Sequence, residues 1–300
     1  MKQASDDKAA KLAAKDYMGS FAWPTVLLCL VAVPTYWVTP VLVYSELLNG
    51  WVALLIMSLA AYLSYTVLHE SVHGSIAGGR SSLRWVNEWC GYLAATVMAI
   101  PLTAHRHEHL AHHRHTNQPN NDPDHHVANL LASPLAAVRV MIQGVATQYT
   151  YYFKHRWSAG HFKQNTILCV EIGIATGLRL LMLFIDPWVS LALFLGSAMA
   201  SIWLIALFFA YLVHKPYDRV GRYVDTGVVI APAGLNAIMT RLWLFQNYHA
   251  IHHLFPRVPF YQYQRLFNRI EPAMRANGTP IRYLGAADRS PASHYSNASR

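Results

Sequence analysis

Histidines occur in three short clusters whose spacing favours metal binding. On a helix, residues three or four positions apart lie on one face, so each cluster directs two or three imidazoles the same way. Eight imidazoles exceed the roughly four ligands that one zinc ion takes, and they suit a pair of transition-metal ions. Imidazole binds iron, copper, nickel and zinc, so the ligands alone do not identify the metal. The clusters contain His69 and His73; His109, His112 and His113; and His249, His252 and His253.

Three carboxylates stand close to these histidines in the sequence. Glu70 lies inside the first cluster, and Asp122 and Asp124 follow the second. A carboxylate that bonds the far nitrogen of a ligand imidazole fixes the tautomer and orientation of that ring. We therefore expect all three to support the ligands without binding the metal. The nearby histidines that we expect to face solvent or to lie beside the ligands are His105, His107, His115, His125 and His126.

The composition places these clusters in a membrane protein. Of the 300 residues, 54% are hydrophobic and only 13% are charged, whereas a soluble domain usually carries about 25% charged residues. The apolar residues form four blocks, each about as long as the roughly 18 to 20 residues that cross a bilayer. We predict four transmembrane helices within residues 17–45, 47–68, 166–185 and 187–213.

The basic residues predict the orientation of these helices. Four lysines precede the first block, residues 69–165 carry eight lysines and arginines, and residues 214–300 carry eleven. The short connections near residues 45–50 and 186 carry none. The positive-inside rule then places both termini and the central loop in the cytosol, with a bacterial inner membrane as the expected location. A basic face on an anionic leaflet explains the net charge of +9 without a nucleic-acid partner.

The topology brings all three clusters to one membrane face. The second span ends near Leu68 and the fourth near Val213, which places His69, His73 and His214 at the cytosolic edge. Residues 80–101 and 228–245 are mixed in polarity and are predicted to form interfacial helices that lead to the other two clusters. The expected fold is an all-α integral membrane protein with about four transmembrane helices, interfacial helices and a cytosolic histidine-rich di-metal cap.

The chain is expected to divide into three parts. Residues 1–20 are predicted to be a cytosolic N-terminal segment, and residues 21–279 a membrane domain. Residues 280–300 are rich in Ser, Asn, Ala and Arg, a composition typical of a disordered tail.

The order H-x3-H, H-x2-HH and H-x2-HH on a chain with four spans resembles the fatty acid desaturase superfamily of membrane di-iron enzymes. Residues 247–263 and 109–125 are similar to the β-carotene hydroxylase branch of that superfamily. Ile251, where many acyl-lipid desaturases have glutamate, also favours this branch. The resemblance makes His214, which precedes Lys215 and Pro216, a ninth metal ligand.

The resemblance implies an O2-dependent oxidoreductase that holds two iron ions and acts on C–H bonds of a long apolar lipid. Acyl desaturation and carotenoid ring hydroxylation stay open, because the same ligands serve both and the pose of the substrate decides. The substrate would enter from the bilayer through a channel between the spans. The sequence shows no haem domain, cysteine cluster or nucleotide-binding motif, so a separate ferredoxin-like or cytochrome electron donor is implied.

Two other functions remain as alternatives. His69-Glu70-Ser71-Val72-His73 matches the pattern of zinc peptidases, in which the glutamate is the general base, but that interpretation leaves two clusters unexplained. A metal-binding or transport protein is the third possibility. Transporters carry ionisable groups within their spans, and here the four apolar blocks contain only Glu171 and Arg179.

Overall fold

The structure is a computed structural model that describes residues 2–285, with side chains described from residue 7 onward. Helices account for most of this part of the chain, in agreement with the predicted fold class. The helices are α1 (Lys2–Lys15), α2 (Trp23–Tyr44), α3 (Gly50–His73), α4 (Arg84–Met98), α5 (Leu102–His115), α6 (Pro134–His155), α7 (Phe162–Ile185), α8 (Pro187–Ile205), α9 (Leu212–His214), α10 (Ala233–Leu242), α11 (His249–Leu254) and α12 (Tyr263–Ala276). The strands are β1 (Val228–Ile230) and β2 (Ile281–Tyr283).

Four helical stretches are long and apolar enough to cross a membrane, which confirms the predicted number. They are Trp23–Tyr44, Gly50–His73, Ala159–Ile185 and Pro187–His214. The second stretch continues past Leu68, so the first histidine cluster belongs to the span itself. It ends at Gly74, whose φ of 70° lies in the left-handed region that a residue without a Cβ adopts at little cost.

The two short connections between successive spans begin the helices that follow them. The Asn49 side chain accepts a hydrogen bond from the backbone N–H of Trp51, at the start of α3. Asp186 does the same for the first turn of α8, where Pro187 provides a backbone angle that suits a helix start. These caps explain why the chain turns within a few residues between successive spans.

Helix α3 is the centre of the membrane part. It packs against α2, α4 and α8, and its residues Ala53, Ala60, Ala61 and Ser64 are buried. Small side chains let neighbouring helices approach closely, which is how helices associate where hydrophobic burial gives no advantage. Because α3 is held on several sides, the histidines at its end have a rigid support.

The fourth span changes its winding before it ends. Residues Ala206–Tyr211 form a π-helical segment between α8 and α9. A π-helical turn is wider than an α-helical turn and is often found at functional sites. Helix α9 follows this segment directly, and His214 is its last residue.

A second core forms the cap. Helix α1 packs against α12, with Ala13 and Ala14 in the same buried cluster as Leu266 and Ile270. Within the predicted N-terminal segment of residues 1–20, helix α1 is thus attached to the cap.

A small parallel sheet departs from the prediction of an interfacial helix over residues 228–245. Only Ala233–Leu242 are helical, and Val228–Ile230 pair in parallel with Ile281–Tyr283. Successive β-branched residues fit a strand, and Pro232 separates them from the helix that follows. The predicted tail of residues 280–300 therefore starts too early, and residues 286–300 lie outside the described residues.

Candidate metal centre

Three helices and the end of the fourth span bring the predicted histidines together. His69 and His73 lie one turn apart on α3, the second cluster lies on α5, and the third lies on α11. The rings of His69 and His252 are 4.2 Å apart between centroids, and those of His69 and His109 are 4.6 Å apart. The structure thus brings one residue of each cluster into contact, as the sequence predicts.

The imidazoles form two compact groups. Within each group, one ligand nitrogen of every residue lies within 4.8 Å of the others. The five-histidine group is His69, His73, His109, His113 and His252, and the three-histidine group is His112, His214 and His253.

The nitrogens of the five-histidine group converge. The Nε2 atom of His113 lies 2.8 Å from Nε2 of His252 and 3.0 Å from Nε2 of His109. Two nitrogens of neutral imidazoles at this distance need a proton or a cation between them, because their lone pairs otherwise repel. A metal ion satisfies all three rings at once.

His249 belongs to neither compact group and stands between them. Its ring lies 4.8 Å from that of His253, 5.2 Å from His214 and 5.1 Å from His252. Its Nδ1 is hydrogen-bonded to the side-chain oxygen of Gln246 at 2.9 Å, so Nε2 is the ring atom that could bind a metal ion.

Asp122 lies where the sequence predicts a supporting carboxylate. Its Oδ1 is 2.8 Å from Nδ1 of His112. The carboxylate also accepts hydrogen bonds from the backbone N–H groups of Asn117 and Asp124. Asp124 itself is farther away, with 3.8 Å between its Oδ2 and the same histidine nitrogen.

Other ring-orienting residues escape sequence reasoning. The Tyr263 hydroxyl lies 3.0 Å from Nδ1 of His252, and Gln246 takes the same role for His249. Glu108 is a different kind of residue: it is fully buried one turn before His112, and its side chain lies 3.6 Å from Nδ1 of His105, which is not among the predicted ligands. Its position four residues before His112 was a signal that it faces the centre.

Glu70 differs from the expectation. Its carboxylate accepts a hydrogen bond of 2.8 Å from the Thr25 hydroxyl and one of 2.7 Å from the backbone N–H of Phe260. These bonds join α3 to α2 and to the chain after α11, rather than orienting a ligand imidazole. The same contacts occupy the group that a zinc peptidase would need as its general base.

The electrostatics keep most imidazoles neutral. Burial and the neighbouring rings hold the pKa of His109, His113 and His252 well below the usual value of 6.5. Neutral imidazole is the form that binds a metal ion. At His112, burial lowers the pKa but the Asp122 carboxylate raises it, to about 9.

Several buried ring nitrogens have no hydrogen-bond partner in the described part of the chain. Among the predicted ligands they are both nitrogens of His69, Nε2 of His73, Nδ1 of His214 and Nε2 of His253; Nε2 of His105 and of His126 are further examples. An unsatisfied buried polar atom costs about 1–3 kcal/mol. A set of such nitrogens around one centre fits resident metal ions, which would repay that cost.

A cavity of about 90 Å³ lies against both groups. His69, His112 and His214 contribute to one side of it, while Val140 and Phe209 are among the residues of an apolar side. The cavity is therefore able to hold a short apolar segment directly beside the metal centre.

The chain is similar in sequence to several enzymes named for fatty acid conjugation or desaturation. A fatty acid conjugase of Calendula officinalis is 25% identical over 296 residues, covering 86% of this chain and 73% of that protein. A Delta(9) fatty acid conjugase-like enzyme of Dimorphotheca sinuata is 23% identical, covering 71% and 67%. A Delta(12) fatty acid desaturase of Caenorhabditis elegans is 30% identical over 86 residues, which are 27% of this chain and 22% of that protein.

These matches do not extend to the β-carotene hydroxylase branch, which stays a prediction. The model of the fatty acid desaturase family matches residues 45–285. This range includes the three histidine clusters, His214 and three of the four spans. The chain belongs to the fatty acid desaturase family.

Proposed function

We propose that the chain is a membrane-bound oxidoreductase that holds two iron ions and uses O2 to desaturate a fatty acyl chain. The observation that carries this proposal is the convergence of two histidine groups beside an apolar cavity. Family membership supports the oxidation of a lipid. When bound, the iron ions would supply the oxidising power to remove hydrogen from an unactivated carbon with O2.

The ligands divide between the two ions by position. The five-histidine group would hold one ion. The three-histidine group would hold the other, with His249 as its fourth ligand, because its ring is nearest that of His253 and the other group already has five histidines. This assignment uses all nine predicted histidines and leaves the shells uncharged, unlike the carboxylate-rich shells of soluble di-iron proteins.

The remaining residues of the site position the rings and the substrate. Asp122, Gln246 and Tyr263 hold the Nδ1 atoms of their histidines, so that the other ring nitrogens are directed at the metal. The apolar side of the cavity would exclude water and hold the acyl chain beside the centre. The head group of the lipid would stay near the cytosolic face that we propose from the distribution of basic residues.

A separate electron donor would dock on the cap. Lys215, Arg219 and Arg257 are exposed there. A basic surface speeds association with an acidic partner by long-range attraction. A small acidic ferredoxin or a cytochrome fits this surface.

Carotenoid ring hydroxylation is a second candidate. The observation that favours it is Ile251, which stands where many acyl-lipid desaturases have glutamate. This side chain is fully buried on α11, between His249 and His252. Both reactions begin with the removal of a first hydrogen. They then diverge, since desaturation removes a second hydrogen and hydroxylation adds oxygen to the carbon, so the outcome depends on the pose of the substrate.

The test is to express the full chain in a bacterial host with defined fatty acids, and in the same host supplied with β-carotene. We expect about two irons per purified chain and a new double bond in extracted acyl lipids that requires O2. A hydroxylated carotenoid would support the second candidate instead. One tightly held zinc with peptide hydrolysis, or loosely held ions without any lipid product, would overturn both.

A further inference from the structure

Two residues of opposite charge lie well inside the third span, where a charged group is costly and is retained for a reason. Glu171 and Arg179 both belong to α7, inside the candidate span Ala159–Ile185. Neither contacts the histidine groups. Arg179 binds the end of α4 and Glu171 binds the start of α5, on the two sides of the turn that joins these helices. Helix α5 carries the second histidine cluster.

Arg179 binds the C-terminal end of α4. Its guanidinium donates hydrogen bonds of 2.8 Å to the backbone carbonyls of Thr96 and Val97. The last carbonyls of a helix have no partner within the helix, and they carry the negative end of its dipole. The same guanidinium lies over the rings of Trp37 and Phe194, at 5.3 and 5.6 Å, so one side chain joins four helices.

Glu171 binds the opposite end of the turn. Its carboxylate oxygens lie 3.3 and 3.4 Å from the backbone N–H of Thr103, in the first turn of α5. A negative charge is favoured at a helix N-terminus, where N–H groups lack partners. Tyr149 of α6 donates its hydroxyl to the carbonyl of Ala99, which lies between the two helices with a φ of 52°.

The turn therefore has its exposed backbone groups satisfied by side chains of α6 and α7. Non-helical backbone at membrane depth is tolerated only where such groups are satisfied. The positive charge of Arg179 lies at the C-terminal end of α4, and the negative charge of Glu171 lies at the N-terminal end of α5. Each charge is therefore opposite in sign to the dipole of the helix end that it contacts.

The turn also separates the cavities of the membrane part. Met98 and Ile100 line the cavity beside the metal centre. Met98 and Ala99 line a second cavity of about 270 Å³, together with Arg179 itself. Met98 and Ile202 belong to both cavities, so the position of the turn decides how far an apolar chain extends past the centre.

We propose that Glu171 and Arg179 are positioning residues that lock the turn between α4 and α5, and thereby set which carbon of the substrate faces the metal centre. This inference rests on the proposed function for its second half. The claim that the two side chains lock the turn concerns the backbone alone, and it is tested without any substrate.

The test compares Arg179→Gln and Glu171→Gln with the parent chain. Lys163→Gln is the matched control, because it removes a charge from an exposed position of the same helix. Hydrogen exchange of peptides that cover residues 96–103 reports how often the turn opens. Metal content and the position of the new double bond are measured on the same preparations.

We expect exchange in residues 96–103 to become about tenfold faster in Arg179→Gln, as for the loss of a charge-assisted hydrogen bond. Products should change from one position to a mixture, with metal content unchanged. Arg179→Lys keeps the charge but cannot reach both carbonyls with a planar fork, so it should give an intermediate result. This variant and Glu171→Gln decide the question if Arg179→Gln fails to fold.

Unchanged exchange in residues 96–103 would overturn the inference, and so would faster exchange with an unchanged product position. If the parent chain makes no lipid product, the proposed function fails. The exchange measurement then still shows whether the two side chains lock the turn.

Discussion

The Nδ1 atom of His112 lies 2.8 Å from Oδ1 of Asp122, and both side chains are buried. The same carboxylate receives the backbone N–H of Asn117, so the loop after α5 folds back onto the helix that it leaves. The ring of His112 is held in one orientation, with its Nε2 as the atom that can bind a metal. A single carboxylate thus links the course of the loop to the geometry of the three-histidine group.

Asp122→Asn should weaken metal binding by about 10- to 100-fold, the usual effect of losing such a supporting carboxylate. The amide oxygen still accepts a hydrogen bond from His112, but the negative charge is gone. Metal titration of the detergent-purified variant measures the effect. Asp218→Asn is the control, because Asp218 is exposed. Equal affinities of the two variants would contradict the role of Asp122.

His214→Ala should lower the iron content selectively, toward one ion per chain, and abolish activity while the protein still inserts. His214 belongs to the three-histidine group, and the five-histidine group does not depend on it. Iron quantification decides the outcome, with exposed His155→Ala as the unclustered control. Retention of both ions with normal turnover would show that His214 is not a ligand.

Glu70→Ala should reduce the free energy of unfolding by about 2 kcal/mol, because the Thr25 hydroxyl and the Phe260 N–H lose a buried acceptor. Glu70→Gln keeps one acceptor oxygen, so it should be milder and should retain iron and partial activity. Unfolding in detergent and iron content are measured together, with exposed Glu46→Ala as the control. Zinc retention with complete loss of peptide hydrolysis in Glu70→Gln would favour the peptidase instead.

The contribution of the buried histidines to the stability of the metal-free protein should be largest near pH 6.5. The folded pKa values of His109, His113 and His252 lie below 6.5, so the unfolded chain binds more protons below that pH and stability falls as the pH falls. His112 acts oppositely, because its folded pKa of about 9 is above the ordinary value of 6.5. Its contribution is complete below about pH 6.5 and is lost progressively as the pH rises to about 9.

Unfolding temperatures of the chelated protein across this range provide the measurement. Added iron should move the acid limit to lower pH, because bound metal competes with protons for the same nitrogens. A stability that is independent of pH between 5 and 7 would contradict the buried, neutral state of the imidazoles.

The four spans and the meeting of the histidine clusters could be predicted because both depend on local sequence. A bilayer requires apolar stretches of a certain length, and residues one turn apart such as His69 and His73 share a helix face. The hydrogen bonds of Glu70 could not be predicted, because its partners Thr25 and Phe260 lie 45 and 190 residues away. Nothing in the residues around Glu70 distinguishes a structural carboxylate from one that supports a metal ligand.

The strand pair shows the same limit. Val228–Ile230 are short and apolar, a pattern that suits either a strand or part of a helix. The choice is made by Ile281–Tyr283, more than fifty residues later in the chain, which supplies the hydrogen-bonding partner. The support of His252 by Tyr263 likewise depends on how α12 packs, which no local spacing specifies.

The π-helical segment Ala206–Tyr211 determines which deletions the fourth span can tolerate. Such a segment holds one residue more than a regular helix between the same two ends. Each residue of a regular helix turns the chain by about 100°. Deletion of one residue within Pro187–Ile205 would therefore rotate His214 relative to the part of the span that precedes the deletion. A deletion within the π-helical segment would instead convert the wide turn into a regular one, and His214 would keep facing His112 and His253.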